Sequence, residues 1–200
     1  MSYLDDSLGY LKHFEGSIAW MYLDTRRFVT VGVGEMLPNA AAAQSLSFVD
    51  SSGQSVSQDA ILSDFNRVSE LAPGQSANSY RSSVSPVLLP NAIDSLLMNH
   101  VQYFDGRLRA RFSAFDIFPN AAKLGLLDMI YNLGEKGLFN GFPHFMGCVD
   151  KQDWSGAATN CHRVGPGPDR NAWTRQQFLA AAAAPALDPD AASVTSAGGN

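Results

Sequence analysis

Three side chains near the start of the 200-residue chain are of the types that acid–base chemistry uses: Glu15, Asp24 and Thr30. Glu15 falls at the end of an apolar-striped segment, beside Phe14 and Ile18. The negative end of a helix dipole and apolar company both favour the neutral, proton-donating form of a carboxyl, which is what a general acid requires. Asp24 lies in a turn and Thr30 in a β-rich run. Each also has an ordinary reading: a helix-end glutamate, a turn aspartate and a strand threonine.

The elements that must hold these groups are legible in the pattern. Leu4, Leu8 and Leu11 form one stripe of an amphipathic helix over 3–14, with Gly16 as its stop. Residues 18–34 are rich in aromatic and β-branched side chains, and Asp24-Thr25-Arg26-Arg27 reads as a turn between two strands. In the second strand Val29, Val31 and Val33 are expected to face a core. The opposite face then carries Phe28, Thr30, Gly32 and Gly34, stripped of bulk where a ligand can come close.

The run FEGSIAWMYLDTRRFVTVGVGEML resembles the catalytic region of the phage T4-type lysozymes, the muramidases used as endolysins. Glu15, Asp24, Thr30, Gly32 and Gly34 match that family's spacing without a gap. LGLLDMIYNLGEKG resembles its long buried helix, and GPDRNAWTRQQF its Arg-bearing closing segment. The likeness is specific over residues 8–37, fair over 120–180 and weak over 38–119. It implies a lysozyme-like α+β fold and hydrolysis of the β-1,4 bond between N-acetylmuramic acid and N-acetylglucosamine. By this resemblance Glu15 is the catalytic acid, Asp24 and Thr30 hold a water, Gly32 and Gly34 admit the glycan, and Asn132 and Arg170 contact substrate. An inverting scheme of this kind separates its carboxyls by roughly 6.5–9.5 Å. The resemblance implies no metal and no organic cofactor.

Two departures stand out. The family commonly has an ion-pairing His directly after the second Gly, where this chain has Glu35, and the middle of the chain, 38–92, is enlarged. The enlargement suits an antibacterial effector domain as well as an endolysin, with a delivery machinery or an immunity protein as further partners. Alternatives on the same fold are a lytic transglycosylase, which needs one Glu and no held water, and a cell-wall-binding module without turnover.

Composition bounds the rest. A net charge of −5 argues against nucleic acid as the main partner, and no apolar run reaches the 18 or so residues of a membrane span. The acidic start does not read as a signal peptide, so action in the periplasm or cell wall would require delivery by other means. Nothing demands an oligomer, and a monomer is expected.

The expected organisation is a single domain over 1–183: a small β lobe at roughly 16–60, and a larger helical lobe at roughly 90–183 with helix 3–14. A low-complexity tail over 184–200 is expected to be disordered. Within this frame 38–58 reads as loop or weak β-structure, 57–71 as a helix and 72–86 as a long polar loop. Helices follow from 91 to 106, over 120–133 as a buried central helix stopped by Gly134, over 145–151, over 153–160 and over 171–183.

His13, His100, His144 and His162 have no metal-ligand spacing. Cys148 and Cys161 are compatible with either a disulfide or two thiols. Arg163, Arg170 and Arg175 read as cleft wall or as solvated surface, and Trp20, Trp154 and Trp173 as core or as sugar platforms.

Overall fold

The computed structural model describes residues 2–184 and shows an α+β fold with small antiparallel sheets. Apart from Ala184, the tail expected to be disordered lies outside the described residues. In chain order the elements are α1 (Tyr3–Glu15), β1 (Ile18–Leu23), β2 (Val29–Gly32), β3 (Glu35–Met36), α2 (Ala40–Gln44), β4 (Phe48–Val49), α3 (Gln58–Glu70), β5 (Val87–Leu88), α4 (Pro90–Arg111), α5 (Asn120–Gly141), α6 (Pro143–Asp150), α7 (Trp154–Asn160) and α8 (Pro168–Ala183). Short 3-10 turns occupy Ala77–Tyr80 and Phe115–Ile117.

The chain divides into two compact units. One is Leu8–His100. The other joins Met1–Ser7 to Val101–Asn200, of which residues 2–7 and 101–184 are described. Most of α1 therefore groups with the strands, and α1 and α4 each supply residues to both units.

In the unit Leu8–His100 a three-stranded sheet runs in the order β1-β2-β3. Tyr22 pairs with Thr30, Leu23 with Val29, and Ile18 with Gly32, with an irregularity between residues 18 and 22. Thr30 in turn faces Met36. The alternation expected of a half-buried strand is present: Met21 and Leu23 are buried whereas Trp20 and Tyr22 are half-exposed. Val29, Val31 and Val33 are buried as expected. A second sheet pairs β4 with β5.

Two local expectations change here. Residues 38–58 contain α2 and β4 rather than only loop. Asn39 caps α2 by accepting from the Ala42 amide at 2.9 Å, and its alanines favour a helix although they lack the apolar periodicity on which the loop reading rested. Helix α4 runs through Gly106 to Arg111, because Leu108 is fully buried and Asp105 accepts from Arg109 Nε at 2.6 Å one turn on. The helix over 57–71 is present as α3, capped by Ser57.

The other unit is built on α5, whose Leu126, Leu127, Met129 and Ile130 are buried. Helical geometry breaks at Gly134, with φ +68°, and resumes to Gly141. Gly125 gives the Phe178 ring of α8 its seat: a Cβ there would lie 2.7 Å from that ring. Helix α8 begins at Pro168, three residues before the expected start, with proline in the first turn where its missing N–H costs nothing. Among the described residues no helix is long and apolar enough to cross a membrane.

Candidate functional site

The expected catalytic residues all lie in the unit Leu8–His100. Glu15 is the last residue of α1. Gly16 ends that helix in the left-handed region, φ +76°, with its amide bonded to Lys12 O at 3.1 Å. Glu15 is exposed, so the apolar enclosure expected around it is not formed. Phe14 and Ile18 are only half-buried.

Asp24 organises the β1–β2 turn. Its Oδ1 accepts from the amides of Arg26 and Phe28, both at 2.8 Å, and its own amide donates to Phe28 O at 3.0 Å. Its Oδ2 lies 3.5 Å from Arg26 Nε. One carboxylate oxygen thus builds the turn, and the other keeps acceptor capacity for a further donor.

Thr30 sits on the middle strand with its Oγ1 donating to Phe28 O at 3.0 Å. It is only 3 % exposed, which corrects the picture of an open, stripped face. With its proton committed inward, the hydroxyl retains only lone pairs for another partner.

Tyr22 connects these groups, and sequence reasoning passed it over as an ordinary strand aromatic. It lies opposite Thr30 across β1 and β2. Its phenol is pushed up from its usual pKa, first by burial and then by the negative charges of Asp24 and Glu15. Both carboxylates are therefore within electrostatic reach of one phenol that faces the threonine.

Gly32 and Gly34 have φ of +66° and +79°, as the β2–β3 hairpin requires. A Cβ on Gly32 would meet Ile93 at an ordinary 3.6 Å, and one on Gly34 nothing within 4 Å. Their presence follows from the turn, a reason the strand reading did not contain.

Glu35 closes the hairpin and accepts from His100 Nε2 at 2.5 Å. The pair raises the His100 pKa above its ordinary value, chiefly through this hydrogen bond and against the effect of burial. A histidine raised in the folded state contributes stability that is complete below its unfolded pKa near 6.5 and lost as pH rises through the folded value. Both side chains are partly exposed, at 41 % and 25 %, so the contribution is under about 1 kcal/mol. In urea titrations, wild type is expected to lose midpoint relative to Glu35→Gln between pH 6 and 8.5. Parallel curves would show that the pair contributes nothing.

Asn132 and Arg170 lie in the other unit. Asn132 is exposed on α5, two residues before the break at Gly134. Arg170 is 6 % exposed, and its Nε donates to Asp128 Oδ1 at 2.7 Å. Arg163 is 2 % exposed, with Nη2 on Asp128 Oδ2 at 2.5 Å. The solvated-surface reading of these two arginines gives way to burial beside Asp128. Arg175 is exposed.

Trp154 is buried against Phe118, while Trp20 and Trp173 are half-buried. Both cysteines are free thiols, and burial pushes the Cys161 thiol up. In the same unit a cavity of about 310 Å³ is lined by Pro143, His144, Cys148, Lys151, Asp153 and Asn160, none of them an expected site residue. Among the described residues no group of three His, Cys, Asp or Glu side chains is placed to hold a metal ion.

No protein-family model matches this chain, and no curated protein matches it.

Proposed function

We propose that this protein is a peptidoglycan muramidase with a lysozyme-like fold, similar to the phage T4-type lysozymes, acting on the glycan strands of the bacterial cell wall. The observation that carries the reading is the local geometry: Glu15 ends the helix directly before β1, Asp24 builds the β1–β2 turn, and Thr30 on β2 pairs with Tyr22 on β1. The three residues carried over from the resemblance all lie in the unit Leu8–His100.

In this reading each group has one task. Glu15, exposed at its helix end, gives its proton to the glycosidic oxygen as the bond from the anomeric carbon breaks. A water on the opposite face of the sugar forms the new bond, and Asp24 accepts its proton through Oδ2. The Thr30 hydroxyl, its own proton held by Phe28 O, accepts a hydrogen bond from that water. Glu35 departs from the family's histidine after the second glycine, and here it pairs with His100.

The test is mass spectrometry of soluble fragments after purified peptidoglycan is incubated with the protein. Reducing-end muropeptides are the expected product. Anhydro ends would replace the proposal with a lytic transglycosylase, and an absence of fragments together with retained binding would replace it with a wall-binding module.

A further inference from the structure

The segment 72–86, within the stretch 38–119 where the likeness is weak, is held firmly and presents a cation. Tyr80 is fully buried, its hydroxyl donates to Ala72 O at 2.9 Å, and its carbonyl accepts from Arg67 Nη2 at 2.7 Å. Arg67 is itself fixed by Asp64, through Nε at 2.9 Å and Nη2 at 2.7 Å. On the other side, the Ser82 amide donates to Ser85 Oγ at 3.0 Å. Between these anchors stands Arg81. It is exposed, and its guanidinium lies over the Trp20 ring, 4.5 Å from the centroid. The indole is fixed in turn by donating from Nε1 to Ala77 O at 2.9 Å.

Two facts set Arg81 apart from a packing cation. The unit Leu8–His100 holds eight Asp and Glu against five Lys and Arg, yet Arg81 has no carboxylate partner among the described residues. Stacking on an aromatic face also occupies the flat of a guanidinium and leaves its in-plane N–H fork for a planar anion. Trp20 precedes Tyr22 by two residues on β1, and both are half-exposed.

We infer that Arg81 on Trp20 is a carboxylate subsite that receives the stem peptide attached to muramic acid. The inference rests on the muramidase reading. A glycan strand that carries a stem peptide brings negative charge to a unit whose acids already outnumber its bases. Arg81 is the preorganised counter-charge, and it makes peptide-bearing strands better substrates than bare ones.

The test compares hydrolysis of peptidoglycan with its stem peptides intact and of the same strands after amidase treatment, for wild type, Arg81→Ala and Arg81→Lys. Arg81→Ala is expected to lower the ratio of kcat/KM on peptide-bearing over peptide-free strands by about tenfold, mostly through KM. Arg81→Lys, which keeps the charge but not the fork, is expected to recover part of that ratio. An unchanged ratio for Arg81→Ala overturns the subsite while leaving the muramidase reading standing, and so does a loss that falls equally on both substrates, which would mark Arg81 as a brace for the segment. No fragments from wild type on either substrate would overturn the muramidase reading and the subsite with it.

Discussion

Glu15→Gln is expected to abolish the release of muropeptides, a loss of about 10²–10⁴ from removing a general acid, with the thermal midpoint close to that of wild type. The substitution keeps the size of the side chain and an acceptor oxygen and replaces the acidic O–H by an amide that cannot give up a proton. Glu15 is exposed at the last position of α1, and the helix is ended by the left-handed Gly16, so little buried surface is disturbed. Rates of reducing-end formation and circular-dichroism melts on the same samples check both halves of the expectation. Turnover near that of wild type would move the proton donor to another group. A lost fold would show that Glu15 is a structural residue.

Asp128→Ala is expected to cost about 3–5 kcal/mol of unfolding free energy, the range for removing one partner of a buried ion pair. Asp128 is fully buried. Its Oδ2 accepts from Arg163 Nη2 and from Thr174 Oγ1, each at 2.5 Å, and its Oδ1 from Arg170 Nε at 2.7 Å. Alanine would leave both guanidiniums in the interior without this carboxylate. Asp128→Asn, which keeps the volume, is expected to be nearly as damaging because the charge is what the arginines require. Urea unfolding measures both variants. A loss under about 1 kcal/mol, the size of a surface pair, would mean that water or another anion reaches the arginines.

The two effects differ in how far they were visible beforehand. Glu15, Asp24 and Thr30 stand within sixteen consecutive residues, and their elements carry local signals: a leucine stripe, a turn chemistry, an alternation of valines. Local signals suffice for local structure, so α1, the β1–β2 hairpin and α3 were legible. The Asp128 cluster joins residues 35 and 42 positions apart, and no periodicity marks a buried arginine, whose type alone argues for the surface. The burial of Thr30 and the stack of Arg81 on Trp20 escaped for the same reason. Helix α2 escaped because four alanines carry helix propensity without an apolar pattern.

The division of the chain also has a consequence for the order of events in time. The unit Leu8–His100 is a continuous stretch and has all its residues once His100 has been made. The other is not continuous. Tyr3, whose hydroxyl donates to Asp105 and accepts from Arg109 Nη2 at 3.1 Å, lies 102 positions before that aspartate. Lys123 also stands over the Tyr3 ring. A ribosome releases the first members of this cluster long before the last, so Tyr3 must wait through the synthesis of an entire other unit for its partners. Closing that separation is a late, entropically costly step. The contacts of Tyr3 with Asp105 and Lys123 can therefore close only after the whole of Leu8–His100 has been made.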